Sequence, residues 1–436
     1  MALTKTPVTG MKDIMPAEME IRDYLIGLIK ETYKSFGFTP IETPAMESIQ
    51  NLTAKQGGDN EKLIFKVMKR GEKLDLAAAK TADDLADCGM RYDLTVPLVR
   101  FYANHANDLP KPFKALQVGP VWRADRPQRG RFRQFYQCDI DILGEPSNMA
   151  ETELLLATSS VLGKIGFEGF RIHINDRALL KAMAAWSGFA EEDFDGVFIT
   201  LDKMDKIGRD GVREELAANG HPEEHIERYL SLFAAMDYSE DSLAEAARVL
   251  AGGDCRKEAD TDVSSETGAL DMSSGLKAIE NIREIMDNVR ACVTVPCELV
   301  FDPTLVRGMS YYTGTIFEVE IAGLASSCGG GGRYDAMVGK FTNMQTPACG
   351  ISLGFERLIT ILLEQGFTVP GAADKTAFLL DKKISGEKLA QILGEAQRMR
   401  AEGRTVLVDR MAKNKKHQKE QLTADGYSDI REIYAD

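Results

Sequence analysis

Residues 114–144 read KALQVGPVWRADRPQRGRFRQFYQCDIDILG, and this stretch predicts the central element of the fold. Two apolar-rich runs, 115–122 and 132–143, flank a polar turn, which is the pattern of an antiparallel hairpin with an open loop. The loop region is dense in arginine: Arg123, Arg126, Arg129, Arg131 and Arg133. Neighbouring like charges repel, so this density does not serve the sheet. Arginine binds phosphate and carboxylate groups in a planar, bidentate geometry, and the loop is therefore predicted to hold a polyphosphate.

The outgoing strand of the hairpin carries polar side chains at alternating positions. Gln137, Asp139 and Asp141 are separated by two residues each. Because side chains of a strand alternate between its two faces, these three share one face. We expect this face to meet a different part of the ligand that the arginine loop binds.

The composition is that of an ordinary globular protein of two or three domains, with 436 residues and a net charge of −14. The chain has no apolar run long enough to predict a membrane span and no apolar signal core at its start. The seven cysteines form no CxxC pair, so no metal site or disulfide framework is predicted, and a cytoplasmic location is expected. The acidic balance disfavours nucleic-acid binding by the whole surface but allows a local basic groove.

The rest of the chain divides by its hydrophobic patterns. FTPIETP at 38–44 is predicted to be extended because of its prolines, and RYDLTVPLVR at 91–100 to be a strand with Asp93 and Thr95 on one face. Residues 177–290 have helical periodicity with little strand signal. The last segment alternates strand and helix as a small βαβαβ unit, which predicts a parallel sheet.

Two familiar nucleotide-binding motifs are absent from the sequence. The glycine run 329–332 is not followed by GK[ST] at the spacing of a phosphate-binding loop, and it lacks the last glycine of GxGxxG. The run therefore indicates either a tight crossing of two backbones or direct contact with a ligand.

Two further segments place an arginine next to glycine in a strand context. Arg307 lies in LVRGMSYYTGTIFE at 305–318, and Arg357 ends SLGFER at 352–357. A fixed guanidinium can stabilise negative charge that develops in a phosphoryl or acyl transition state. Arg357 begins an apolar helix and is placed to stack on a flat base. Together with the arginine loop, these segments favour a nucleotide-dependent enzyme.

The chain resembles the class II aminoacyl-tRNA synthetases and, within them, the histidyl-tRNA synthetase family. FTPIETP, VWRADRPQRGRFRQF and GISLGFER resemble the three class motifs, with Pro44 expected in a dimer interface. LVRGMSYYTGTIFE and CGGGGRYDAMV resemble the two signatures of the histidine-specific family. Ser310 departs from the pattern, because the family more often has an acidic residue there.

The resemblance implies an α+β fold: a class II synthetase-type antiparallel sheet flanked by helices, with a helical insertion and a small C-terminal α/β domain. The expected domains are a catalytic core at 1–176 and 291–368, the insertion at 177–290, and an anticodon-binding-like domain at 369–436. This last domain is expected to be shorter than usual in the family.

The resemblance also implies roles for particular residues. The expected ATP-binding residues are Arg123, Asp125, Arg131, Phe135 and Arg357. The expected histidine-binding residues are Asp93, Thr95, Gln137, Asp141, Arg307, Tyr311, Tyr312 and Tyr334. Arg307 and Arg123 are the expected catalytic residues, and no protein metal site is expected. Arg126, Arg129 and Arg133 receive no firm role; contact with the acceptor end of tRNA is the hypothesis for them.

The implied activity is the activation of L-histidine with ATP to histidyl-adenylate and transfer to the 3′ end of histidine tRNA, with ATP and Mg²⁺ as cofactors. The implied partners are histidine, histidine tRNA and a second copy of the chain, with no membrane. One alternative is a catalytically inactive, synthetase-like regulatory subunit of ATP phosphoribosyltransferase in histidine biosynthesis. Another is a different ATP-dependent ligase built on the same core.

Overall fold

The computed structural model describes residues 3–53, 62–128, 130–236, 240–252, 272–306, 311–322, 327–342, 344–371 and 374–435. Among these residues, no helix is both long and apolar enough to cross a membrane. The chain forms two compact units. One comprises Met1–Asp13 with Leu25–Leu362, and the other comprises Ile14–Tyr24 with Leu363–Asp436.

The described residues form both helices and strands. The helices are α1 Pro16–Ser35, α2 Ile49–Thr53, α3 Thr95–His105, α4 Met149–Ile165, α5 Arg177–Ser187, α6 Phe194–Leu201, α7 Met204–Ala218, α8 Glu223–Ala235, α9 Glu240–Leu250, α10 Met272–Cys292, α11 Asp335–Thr342, α12 Phe355–Glu364, α13 Gly386–Ala401 and α14 Lys415–Ala424. The strands are β1 Thr39–Pro40, β2 Met46–Ser48, β3 Lys66–Met68, β4 Ala86–Met90, β5 Phe113–Trp122, β6 Gln134–Leu143, β7 Phe170–Asp176, β8 Cys297–Phe301, β9 Thr315–Glu320, β10 Gly329–Arg333, β11 Ala348–Gly354, β12 Lys375–Leu380, β13 Thr405–Arg410 and β14 Tyr427–Ile433.

The first unit is built on an eight-stranded sheet in the order β1-β5-β6-β11-β10-β9-β7-β8. The predicted hairpin is confirmed, since β5 and β6 pair antiparallel along their whole length. The pairs β6–β11, β11–β10, β10–β9 and β9–β7 are also antiparallel, whereas β1–β5 and β7–β8 are parallel. The predicted α+β class, with a largely antiparallel sheet flanked by helices, is confirmed.

Alternation along β6 gives the sheet two different faces. Cys138, Ile140 and Ile142 are fully buried apolar residues of this strand. The helix α4 packs against β6 and β11. The intervening residues Gln137 and Asp139 line a cavity. A strand with this alternation of apolar and polar positions fixes its own register, because a shift by one residue would exchange the two faces.

The strand predicted at 91–100 is wrong, because helix α3 begins within this stretch, at Thr95. Asp93 accepts a hydrogen bond from the backbone N–H of Val96 at 3.0 Å, as a side chain at a helix start commonly does. Pro97 fits because the first helical turn needs no N–H donor at that position. Asp93 and Thr95 therefore lie at a helix N-terminus and not on one face of a strand.

The segment between β7 and β8 is helical in the described residues, where α5 to α10 follow one another. The two strands on either side are parallel neighbours, with Phe170 opposite Cys297 and Ile174 opposite Phe301. The chain thus leaves the sheet after β7 and returns beside it at β8, as a crossover between parallel strands must.

The second unit carries a three-stranded sheet in the order β13-β12-β14. Both pairings are parallel, so the predicted parallel βαβαβ unit is confirmed. Buried apolar side chains pack in two clusters of this unit. One cluster contains Phe378, Ala396 and Val406, and the other contains Leu379 and Leu422.

Candidate active site

A cavity of about 380 Å³ opens on the polar face of the central sheet. Strands β6, β9, β10 and β11, the loop between β5 and β6, and the first turns of α3 and α12 contribute to its lining. It brings together twelve of the thirteen residues predicted from the sequence: Asp93, Thr95, Arg123, Asp125, Arg131, Phe135, Gln137, Asp141, Tyr311, Tyr312, Tyr334 and Arg357. The thirteenth, Arg307, lies outside the described residues.

The glycine-rich strands allow two backbones and a carboxylate to lie unusually close together. Backbone pairing places Gly350 opposite Asp141. A Cβ atom at Gly350 would overlap Oδ1 of Asp141, and one at Gly331 would overlap the carbonyl of Gly350. The tight crossing predicted for the glycine run is thus present, and Gly329 and Gly330 also line the cavity.

Three tyrosines surround one end of the cavity. The hydroxyl of Tyr334 donates a hydrogen bond to Oδ1 of Asp141 at 2.6 Å. The ring of Tyr311 lies edge-on to that of Tyr312 at 4.9 Å and to that of Tyr334 at 5.9 Å. These rings exclude water from the carboxylate, which strengthens any charged hydrogen bond formed there.

Four buried acceptor oxygens in this cavity have no hydrogen-bond partner in the described part of the chain. They are Oδ2 of Asp93, Oε1 of Gln137, Oδ1 of Asp139 and Oδ2 of Asp141. A buried acceptor without a partner costs about 1–3 kcal/mol, so such groups are rare in folded proteins. Four of them around one cavity indicate a ligand that supplies several N–H donors.

Burial makes these carboxylates hold their protons more tightly than usual. It raises the pKa of Asp93 to about 6 and that of Asp141 to about 7. Burial, and then the charge of Asp141, raise the pKa of Asp139 well above its ordinary value. The guanidinium of Arg123 opposes this rise at Asp93 and Asp139. A cationic ligand would oppose it further, because positive charge favours the ionised carboxylate.

The other end of the cavity is rich in arginine. The Nε of Arg123 donates to the backbone oxygen of Tyr92 at 2.8 Å, and its guanidinium lies 5.2 Å from the ring centre of Phe135. Arg131 and Arg357 line the same cavity. Gly130 places the loop next to Arg357 with a φ of 69°, a conformation that residues with a side chain rarely adopt. Three guanidinium groups in one cavity suit a ligand with several phosphates.

The other loop arginines are arranged differently. The side-chain Nε of Arg133 donates to the backbone oxygen of Asp125 at 3.1 Å. The backbone N–H of Arg133 donates to the backbone oxygen of Gly10 at 2.8 Å. It therefore ties the loop to the N-terminal segment. Arg126 is exposed, and Arg129 lies outside the described residues.

Several lining residues received no role from the sequence. The alternation of β6 predicted that Asp139 faces the ligand together with Gln137 and Asp141, although no specific binding role was assigned to it. Ser352 lies opposite Asp139 on β11, and only the pairing of distant strands shows this. Glu318 and Glu356 also line the cavity. Both lie in segments that carry the family resemblance, but nothing in the sequence marks their side chains as ligand contacts.

Comparisons with known proteins agree with this geometry. The family described as histidyl-tRNA synthetase matches residues 10–358. A histidine–tRNA ligase from Leifsonia xyli subsp. xyli is 40% identical over 445 aligned residues, covering 100% of this chain and 97% of the relative. A histidine–tRNA ligase from Porphyromonas gingivalis is 38% identical, covering 93% of this chain and 87% of the relative.

Solved structures give the same result at the level of the fold. The histidyl-tRNA synthetase of Nostoc sp. PCC 7120 has a TM-score of 0.75 at 25% identity, covering 98% of this chain and 90% of that one. A Bacillus halodurans structure titled as an ATP phosphoribosyltransferase regulatory subunit/histidyl-tRNA synthetase also has a TM-score of 0.75, but at 19% identity it shows the fold alone. From the sequence matches and the shared fold together, the chain belongs to the histidyl-tRNA synthetase family.

Proposed function

We propose that the chain activates L-histidine with ATP to form histidyl-adenylate and transfers the histidyl group to the 3′ end of histidine tRNA. The observation that carries this proposal is the cavity itself. One end holds four buried acceptors without partners among the described residues, and the other end holds three guanidinium groups. An amino acid with an ammonium group and a ring N–H matches the first end, and a triphosphate matches the second.

At the acceptor end, the α-ammonium of histidine would donate to Asp93, Thr95 and Gln137. The imidazole would lie between Asp141 and the hydroxyl of Tyr312, with one ring nitrogen donating and the other accepting. The hydrogen bond from Tyr334 holds Asp141 in place, which supports this assignment. Tyr311 would close the pocket around the ring.

At the arginine end, Arg123 would hold the α-phosphate, and Asp125 and Arg131 would surround the triphosphate. The hydrogen bond from Arg123 to the backbone of Tyr92 fixes its direction before ATP arrives. Arg357 would stack on the adenine, and Phe135 would pack against the nucleotide. Rigid donors of this kind stabilise a transition state without reorganising at the moment of reaction.

The chemistry then follows from position and charge. A carboxylate oxygen of histidine attacks the α-phosphorus of ATP, and pyrophosphate leaves with the electrons of the broken P–O bond. Arg123 and Arg307 would stabilise the negative charge on the phosphoryl oxygens. A ribose hydroxyl of the terminal adenosine of tRNA next attacks the acyl carbon, and AMP leaves. The protein forms no covalent bond in this scheme, so it accelerates the reaction by orienting histidine, ATP and tRNA for attack.

Magnesium fits this cavity. Glu318 and Glu356 line it and supply carboxylate oxygens, which Mg²⁺ prefers. Within the part of the chain that the structure describes, no three His, Cys, Asp or Glu side chains are grouped to hold a metal. Mg²⁺ commonly takes one or two carboxylates together with phosphate oxygens and water, so these residues suit an ion that accompanies ATP. When bound, the ion would neutralise phosphate charge.

The remaining expectations form part of the same proposal. The chain would work in the cytoplasm as a homodimer, with Pro44 in the dimer interface. Residues 1–176 and 291–368 would form the catalytic core, 177–290 an insertion, and 369–436 an anticodon-binding-like domain. The two-residue strand β1 ends four residues before this proline and is exposed at the edge of the sheet, which supports a subunit contact there.

The regulatory-subunit alternative makes a different prediction. Such a protein would not need an arginine end, since it would transfer no phosphoryl group. Arg123, Arg131 and Arg357 all line the cavity here, which favours the enzyme.

The test is ATP–pyrophosphate exchange with each standard amino acid, followed by charging of tRNA. We expect exchange with histidine alone and charging of histidine tRNA. Arg123→Met should abolish exchange, whereas Arg171→Met should not, because Arg171 is an exposed residue of β7 that pairs with Glu298 outside the cavity. Folded protein without exchange for any amino acid would refute the proposal and favour the regulatory subunit.

A further inference from the structure

Arg91 follows β4 and is buried, with 5% of its surface exposed. Its backbone N–H donates to the oxygen of Ala45, and its backbone oxygen accepts from the N–H of Trp122, both at 2.9 Å. Its side chain contacts the same two segments two residues earlier. Nη1 donates to the backbone oxygen of Thr43 at 2.7 Å, and Nε donates to that of Pro120 at 3.0 Å. One residue thus joins the end of β4 to two neighbouring segments at four points.

The guanidinium of Arg91 is bonded mainly to backbone. Besides the two carbonyl oxygens, it donates to the hydroxyl of Thr43 at 3.2 Å. Burying a charge costs several kcal/mol, and an apolar side chain of similar size would avoid this cost. The planar fork of an arginine, however, can hold two carbonyl groups at a fixed separation. These contacts therefore suit a residue that fixes the position of the backbone around it.

Gln117 holds the backbone on the other side of Asp93. Its Nε2 donates to the backbone oxygen of Leu94 at 3.0 Å, and its Oε1 accepts from the hydroxyl of Thr43 at 3.4 Å. The hydroxyl of Thr43 thus accepts from Arg91 and gives its single proton to Gln117. The backbone before and after Asp93 is therefore tied to one threonine.

We infer that Arg91 is a positioning residue, which holds the backbone around Asp93 so that this carboxylate meets the α-ammonium of the amino-acid substrate. This inference rests on the proposed function and adds a determinant of substrate recognition to it. Oδ1 of Asp93 is fixed by the N–H of Val96, and Oδ2 is one of the buried acceptors without a partner in the described residues. Arg91 and Thr43 line a separate cavity of about 430 Å³, so Arg91 acts through the backbone and not on the substrate.

The charge of Arg91 predicts the opposite effect to its position. Asp139, which lines the candidate site, is one of the charged groups that act on Arg91. By charge alone, removing a cation from beside the cavity would favour a cationic ligand. Weaker binding of an ammonium group after the loss of Arg91 would therefore reflect a displaced carboxylate.

The test compares histidine with 3-(imidazol-4-yl)propionate, which has the same ring and carboxylate but no α-ammonium. Dissociation constants for both are measured by calorimetry on the full chain without ATP at pH 8, above the pKa of about 6 to which burial raises Asp93. We expect Arg91→Met to lower the preference for histidine about tenfold, which is the effect of weakening one hydrogen bond between charged groups. A merely structural role would lower the amount of folded protein, and so the binding stoichiometry, without changing the ratio of the two constants.

Arg22→Met is the matched control. Arg22 is as deeply buried as Arg91, with 3% exposed, but it lies in α1 and pairs with Glu18. Its loss should leave the preference for histidine unchanged.

Gly119→Ala displaces the guanidinium of Arg91 without deleting any group. A Cβ atom at Gly119 would lie 2.7 Å from Nη2 of Arg91, and its other neighbour within 4 Å in the described ranges, chain neighbours aside, is Cζ of the same residue. Nη2 cannot move alone, because the guanidinium is planar and both Nη1 and Nε are held. Gly119→Ala should therefore also lower the preference for histidine. In an Arg91→Met background it should have no further effect, since no guanidinium remains to be displaced.

An unchanged preference in Arg91→Met would overturn the inference. If that variant does not fold, an unchanged preference in Gly119→Ala overturns it instead. A loss that Gly119→Ala causes equally in the Arg91→Met background would overturn it too, because the added methyl would then act without the guanidinium. The proposed function fails on a different result: wild-type protein that neither binds histidine nor supports exchange.

Discussion

The two oxygens of the Asp141 carboxylate differ in their hydrogen bonding when no ligand is bound. Its carboxylate is buried, one oxygen accepts from Tyr334, and the other has no partner in the described residues. Burial raises its pKa to about 7, from an ordinary value near 3.8. Since the folded state then binds the proton more tightly than the unfolded state, this group stabilises the fold at low pH. That contribution is lost as pH rises from about 4 to about 7.

Asp141→Asn should therefore be more stable than the wild type at high pH, although it should bind histidine poorly. The gain in unfolding free energy at pH 8, relative to pH 4.5, should be at most about 4 kcal/mol, because one pKa unit corresponds to about 1.4 kcal/mol. Urea unfolding of both proteins at the two pH values measures it. An equal difference at both pH values would show that burial does not raise this pKa.

At the scale of elements, the cavity depends on how strands are joined to their neighbours. Arg333 at the end of β10 forms a bidentate pair with Glu151 in α4, with both N–O distances 2.7 Å. It also donates to backbone oxygens of Glu145 and Ser147. The glycine-rich strand has few side chains of its own, so this arginine attaches it to the layer of helices behind the sheet.

Glu151→Ala should cost at most about 3–5 kcal/mol of stability, because it removes the bidentate partner of a largely buried guanidinium and leaves it only the longer ion-pair contact with Asp335 at 3.4 Å. Glu298→Ala is the matched control, since its pair with Arg171 lies on the surface and should contribute less than about 1 kcal/mol. Chemical denaturation of the two variants gives the comparison. Similar losses in both would mean that the buried pair does not join β10 to α4.

The loop between β5 and β6 is held from outside the hairpin. Gly10, at a φ of 81°, packs so closely that a Cβ atom would lie 2.8 Å from atoms of Arg133 and Pro127. Arg133 in turn holds the backbone of Asp125. Lys12 lies 4.9 Å from the ring centre of Phe132 in the same loop. The N-terminal segment thus sets the shape of the loop proposed to bind ATP.

Arg133→Met should raise the KM for ATP about tenfold in pyrophosphate exchange, since it removes hydrogen bonds that hold the loop backbone. The KM for histidine should change little. Arg126→Met is the control in the same loop, because Arg126 is exposed and exchange does not involve tRNA. If both KM values rose together, the contact would serve general stability and not the loop alone.

At the scale of the whole molecule, local patterns predicted local elements well. The hairpin and the parallel C-terminal sheet followed from alternation and turn residues along short stretches. RYDLTVPLVR was assigned wrongly because its alternation also fits the start of a helix, and packing decides between the two. The hydrogen bond between Gln137 and Ser352 joins residues 215 apart, so no local pattern could reveal it. The candidate site was predicted through resemblance, and its assembly in one cavity depends on such distant pairings.

The raised pKa values of the three buried aspartates have a consequence for binding itself. Near neutral pH the ligand-free cavity holds protons on some of these carboxylates. Histidine brings an ammonium group, which favours the ionised carboxylates, so its arrival should expel on the order of one proton into the solvent. Calorimetry in phosphate and in Tris detects this, because the two buffers take up a proton with different heats. Equal binding heats in both would contradict it, and Asp141→Asn should expel fewer protons. Substrate capture would then release protons that the emptied cavity takes up again at the end of each turnover.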